Sequence, residues 1–135
     1  TPVIRLTIPP SPGNPRNSEG DMIQLNDKSW LMIYSRFTGK SDNDDDNAEL
    51  VSRISKDGGR TWSTKDEPVA KPTDGNNLMS VSIVRISKKE IGLFYLRKRS
   101  QSDCRPLFCR SSPALASFFL LIRTRIAGYA GVIKT

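Results

Sequence analysis

The sequence contains no histidine, and only two cysteines among its 135 residues. Without histidine there is no Ser-His-Asp or Cys-His catalytic group, no histidine zinc site and no imidazole acid–base step. Any hydrolytic chemistry must rest on carboxylates, Tyr, Lys or Arg. Cys104 and Cys109 stand in a C-x4-C spacing, and nothing else in the chain can complete a zinc site with them. A disulfide between them stays open, and two thiols do not fix a compartment. Long apolar runs are missing too. The longest covers residues 114–122 and is broken by Ser117, too short to cross a bilayer.

Acidic residues are absent from the last stretch of the chain. Residues 1–103 hold 16 Lys+Arg and 14 acids, whereas residues 104–135 hold 5 Lys+Arg and no acid. Most of the net charge of +7 therefore belongs to the tail. A nucleic-acid surface needs basic residues organised with aromatics or along a helix, and the tail has neither. Neither nucleic acid nor membrane is expected as a partner.

What is present is short-period β patterning. Residues 1–20 carry Pro2, Pro9, Pro10, Pro12 and Pro15 and read as an extended lead-in with one short strand at residues 3–8. Residues 22–25 and 30–34 read as a hairpin turning at Asn26-Asp27. Residues 48–54 alternate as a strand, Asp57-Gly58-Gly59 turns, and a short strand is expected from Thr61. Residues 64–77 read as a linker. A 3.6-residue apolar period is almost nowhere to be found in residues 1–103, so this part is expected to be all-β.

The segments repeat. Residues 22–25 and 31–36 align with residues 83–86 and 92–97 at a constant offset of 61, so that Leu25 meets Ile86, Tyr34 meets Tyr95 and Arg36 meets Arg97. A unit of this size suits one β-propeller blade, and propellers close only with several blades. The expected organisation is a lead-in over 1–20, about two blades over 21–107 and a divergent basic tail over 108–135, the chain being a fragment of a longer ring or else an oligomer.

Ser55-Lys56-Asp57-Gly58-Gly59-Arg60-Thr61-Trp62 fits S-x-D-x-G-x-x-W. The Asp accepts N–H bonds within the turn, Gly permits positive φ, and Trp covers the turn. The structural set is Ser55, Asp57, Gly59 and Trp62. The motif resembles the Asp-box of sialidases, the BNR repeat. With Asn14-Pro15-Arg16 before the first hairpin and Tyr34-Ser35-Arg36 ending it, residues 14–107 resemble the N-terminal part of a bacterial exo-sialidase. The resemblance implies a six-bladed propeller that cleaves terminal sialic acid or a related acidic sugar, without a cofactor or metal. It matches Arg16 and Arg36 to substrate-binding arginines and Asp44, with Asp42 in reserve, to the acid/base. Ser80 falls where a sugar N-acyl contact would lie. A secreted or periplasmic location is implied on the same basis.

Plainer readings stand beside these. Arg16 also suits a pair with Glu19 or Asp21, and Arg36 a strand-end surface position. The run Asp42, Asp44, Asp45 and Asp46 also reads as a solvated loop, or as the start of a calcium loop whose sixth and twelfth positions are wrong. The nucleophile Tyr, its Glu and two further arginines of the sialidase site have no counterpart, so the short chain is expected to be inactive. The second unit lacks the S-x-D-x-G-x-x-W turn. Residues from about 108 read as out of frame, or as a divergent tail whose segment 115–123 covers an exposed sheet. The alternative function is a non-catalytic glycan-binding or structural propeller piece. Self-association through exposed sheet edges is the further expectation.

Overall fold

The computed structural model describes residues 1–73 and 77–111. Those residues form seven antiparallel strands and no helix. Strands β1 (Asn17–Gln24), β2 (Trp30–Phe37), β3 (Ala48–Ser55) and β4 (Glu67–Ala70) make one sheet in chain order. Strands β5 (Asn77–Ser87), β6 (Glu90–Lys98) and β7 (Cys104–Ser111) make a second, also in chain order. The all-β expectation holds.

Period-2 alternation decides which side chains meet. Leu31 and Ile33 of β2, Leu50 of β3 and Val69 and Ala70 of β4 lie on one face of the first sheet. They pack against Ile91, Leu93 and Tyr95 of β6. Phe37, Ile33 and Leu50 are fully buried, and each contributes about 1.5–3 kcal/mol through removal from water.

The two copies of the repeat use opposite faces. In the first sheet the buried face carries Ile23, Leu31 and Ile33; the residues 61 positions later, Val84, Gly92 and Phe94, lie on the far side of the second sheet. Val84 and Phe94 are exposed there. Conversely, exposed Met22 corresponds to Ile83, which packs on the core. The sheets are therefore stacked in the same sense, like successive leaves, and not mirrored like two halves of a sandwich.

The seam between the leaves is polar. β1 is bulged between Ser18 and Asp21, β5 between Met79 and Ser82. Within those bulges Glu19 and Ser80, 61 residues apart, both have positive φ. Both the amide and the hydroxyl of Ser80 donate to Glu19 Oε2, at 2.8 and 2.9 Å. The Ile83 amide donates to Asp21 Oδ2 at 2.7 Å.

Several sequence boundaries are corrected. Residues 3–8 form no strand; Val3 and Ile4 are exposed, because Pro9 and Pro10 offer no ladder donors beside them. β1 starts at Asn17 rather than residue 22, the bulge absorbing Gly20. No strand starts at Thr61, whose amide and hydroxyl are committed to Asp57; the strand begins instead at Glu67, inside the expected linker. β7 runs through residue 108 to Ser111, with Leu107 and Cys109 packed inward and Phe108 outward. The rest of the proposed tail, 112–135, lies outside the described residues. Cys104 and Cys109 are both free thiols, and burial pushes Cys109 up to about 11.

The 55–62 turn is held from inside. Asp57 Oδ1 accepts from the Arg60 and Thr61 amides at 3.0 and 2.8 Å and from the Ser55 hydroxyl at 2.9 Å. The Thr61 hydroxyl donates to Oδ2 at 2.6 Å. The Thr61 side chain, followed by the Thr61 amide, brings the Asp57 carboxyl down to about 2. Gly58 and Gly59 sit at φ 74° and 82°, which only glycine adopts freely.

Candidate functional site

The loop between β2 and β3 gathers the charged residues at one end of the strands. Arg16 precedes β1, and its backbone carbonyl accepts from the Phe37 amide at 2.9 Å. That bond brings the Arg16 guanidinium over the Phe37 ring, 4.7 Å from its centroid. From there Nη1 donates to Asp44 Oδ1 at 2.6 Å and to the Asp42 carbonyl at 3.0 Å. Arg16 thus pairs with the acidic loop, not with Glu19 or Asp21.

Each loop acid has its own task. Arg16 beside Asp44 holds that carboxyl below the usual carboxylate range, first through the hydrogen bond and then through its charge. Asp46 turns back into the loop, accepting from the Ser41 amide and hydroxyl at 2.7 and 2.8 Å and from the Asn47 amide at 2.7 Å. Those donors, led by the Ser41 hydroxyl, lower it as well. Gly39 makes room for it: a Cβ there would sit 1.9 Å from Asp46 Oδ1. Asp45 Oδ2 accepts from Gln101 Nε2 at 3.3 Å. No three of the acids among the described residues are placed to share a metal ion.

The second sheet completes this end. Asn77, which is fully buried, donates through Nδ2 to the Asp46 carbonyl at 2.9 Å, and its Oδ1 has no partner. Lys98, at the end of β6, adds a favourable charge near Asp44. The cluster therefore presents donors and acceptors from both sheets, Arg16, Asp44, Asp45, Lys98 and Gln101, with buried Asn77 bracing the loop from beneath.

Arg36 is not part of it. It neighbours Phe37 in β2, so its side chain leaves the opposite face. There it lies 3.7 Å from Glu49, its cross-strand partner, and 3.8 Å from Asp66. Asp66 also accepts from the Tyr34 hydroxyl at 2.5 Å and Arg53 Nε at 2.7 Å. Burial, followed by the Asp66 carboxylate, pushes Tyr34 up to about 12. Ser80 is a third separate position, spent on Glu19 at the seam. Of the sequence candidates, then, only Arg16, Asp42 and Asp44 come together.

The direction at Asp44 is opposite to the one a proton donor needs, since a general acid is raised and not lowered. Crowded carboxylates do not dominate there; one arginine does. Sequence reasoning missed Asp66, Glu49, Asn77, Lys98 and Gln101. Glu49 was recoverable from strand alternation opposite Arg36. Asp66 lay in a segment read as linker, and the others depend on how the sheets stack.

No family model matches the chain, and no curated protein matches it. Among solved structures it is similar to Zg3597, a family 117 glycoside hydrolase from the marine bacterium Zobellia galactanivorans, with a TM-score of 0.59 at 20% identity. The likeness covers 78% of this chain and 38% of that one, so the chain spans well under half of its structural neighbour. This overturns the sialidase and BNR assignment: the likeness is to a glycoside hydrolase of another family, and no sialidase model supports the motif. The physical reason is that S-x-D-x-G-x-x-W specifies how a hairpin closes. Asp57 stabilises its turn whatever protein surrounds it. What the likeness shows is the fold alone, an all-β arrangement like that of part of the neighbour.

Proposed function

We propose that the chain is two consecutive blades of a glycoside-hydrolase-like propeller, and that its Arg16–Asp44 end binds glycan without cleaving it. The same-sense stacking of the two repeat copies carries the first part. A ring of blades needs each sheet to show its successor the face its predecessor used. Val84, Ile86 and Phe94 are the equivalents of core residues Ile23, Leu25 and Ile33, and their exposure fits a face made for a further sheet.

The exposed mixed-charge cluster supports the second part. Sugar hydroxyls both donate and accept, and a fixed guanidinium beside carboxylate and amide groups offers both. Asp44 and Asp46, held anionic, suit acceptors better than acids. A glycan array followed by NMR titration of the labelled chain tests this. Binding should shift the amides of Arg16, Asp44, Asn77 and Lys98, and Arg16→Ala should weaken it about tenfold, the worth of one charge-assisted hydrogen bond. Absence of any such shift sinks the binding site; release of free sugar sinks the non-cleaving assignment.

A further inference from the structure

The other end of the strands holds a second feature. The turn after β1 and the turn after β5 lie side by side there, and a wide, solvent-open cleft of about 560 Å³ lies between them. Ile23 and Leu25 form its apolar side; Asn26, Lys28, Arg85 and Lys88 form its polar side. Three cations line it, and no carboxylate does.

The Arg85 guanidinium and the backbone of both turns are fixed in place. Arg85 Nη1 donates to Asn26 Oδ1 at 3.1 Å, and Nη2 donates to the Gln24 carbonyl. Asn26 Nδ2 donates in turn to the Lys88 carbonyl at 2.5 Å. Gln24 Nε2 donates to the carbonyl of Lys28, whose φ is 71°. Each turn thus braces the other. Arg85 spends two N–H groups on this bracing, and a guanidinium has five. Among the described residues, no ion pair engages the ammonium groups of Lys28 or Lys88. Asp27 does not neutralise them by contact: its Oδ1 accepts from the Ser29 amide and hydroxyl at 3.0 and 2.5 Å.

We infer that this cleft is an oxyanion site, and that its ligand is a sugar bearing sulfate or carboxylate. Three like charges placed around one space repel each other, and an anion relieves that repulsion. The free N–H groups of Arg85 match an oxyanion, with Lys28 and Lys88 acting as point charges. Ile23, half-buried at the edge of the core, offers an apolar contact to a sugar ring. Only the sugar half of the inference rests on the glycan reading above; the oxyanion half stands on the cations alone.

Titration of the labelled full chain with galactose 6-sulfate, sodium sulfate and galactose tests both halves. Galactose 6-sulfate should shift the amides of Asn26, Lys28 and Ser29. Sodium sulfate should shift the same amides at higher concentration, and galactose should leave them still. The double variant Lys28→Gln/Lys88→Gln, at two exposed positions, should weaken binding about tenfold or more with unchanged circular dichroism. Silence of these amides toward both sulfated probes overturns the site, as does full binding by the double variant. Equal affinity for sodium sulfate overturns the sugar. A response here with none at the Arg16–Asp44 end leaves the oxyanion site standing while the glycan-binding proposal falls.

Discussion

The first sheet and the second sheet are built from the same repeat, yet they live in different surroundings. In the first, Ile33 is fully buried; its equivalent in the second, Phe94, is 38% exposed and stacks on Phe108, with ring centroids 4.3 Å apart. Leu25 is buried while Ile86 lies open. Tyr34 binds Asp66 on the outer face, whereas Tyr95 is part of the core between the sheets. The same pattern is core in one copy and surface in the other because burial depends on what stacks next, which the strand itself does not encode.

The sharpest way to break this contrast is paired truncation. Ile33→Ala should cost about 2–5 kcal/mol, the loss of a filled core site. Phe94→Ala, at the equivalent position, should cost about 1 kcal/mol or less, as exposed positions do. Denaturant unfolding of both variants measures the difference. Equal costs would mean that the outer face of the second sheet is covered in solution.

A smaller effect sharpens the electrostatic side. Asp66 exposes 13% of its side chain and serves Tyr34, Arg53 and Arg36 together. Asp66→Ala should cost about 2 kcal/mol, since it leaves half-buried Arg53 and the Tyr34 hydroxyl without their carboxylate. The ion pairs of the second sheet are more exposed, Asp103 with Arg99 and Arg105 among them, so Arg110→Ala, which parts an exposed pair with Glu90, should change stability by less than about 1 kcal/mol. A double-mutant cycle between Asp66 and Arg53 reads the coupling directly.

The smallest expected effects are in pH. Asp57 is lowered from 3.8 to about 2, so the folded state binds its proton less readily than the unfolded chain. Its contribution is full above pH 4 and fades as pH falls toward 2. Tyr34 is raised from 10 to about 12, so its contribution is full below pH 10 and fades as pH climbs toward 12. Asp57→Asn should flatten the acid limb of a stability–pH curve, and Tyr34→Phe the alkaline limb. An acid limb unchanged in Asp57→Asn would mean that the turn bonds form equally in the unfolded chain.

Much of the fold was legible. The strands over residues 22–25, 30–34 and 48–54 follow from alternation, and the 61-residue offset marks the two copies that the bulges at Glu19 and Ser80 later join. Misread boundaries share one cause: local bonds outcompeted pairing. Thr61 serves Asp57 instead of a ladder, and Pro9 and Pro10 deny residues 3–8 a partner. The candidate site was half legible. Arg16 and the acidic loop were found, but Arg36 was grouped with them on the sialidase resemblance, although its place next to Phe37 in a strand puts it on the opposite face.

The sequence by itself determined the β class, the repeat, the absence of imidazole chemistry and the closed 55–62 turn. All four depend on residue type and short spacing, and short-range hydrogen bonds and the period of two enforce them. Only the tertiary structure decided that Arg16 meets Asp44, that Arg36 meets Asp66, that Asn77 reaches the Asp46 carbonyl, and that Lys28 and Arg85 share a cleft. Those meetings join residues 28 to 57 positions apart. The first two follow from strand pairing and loop closure within the first sheet, and the last two exist because two leaves stack in the same sense; neither is set by any single stretch of chain.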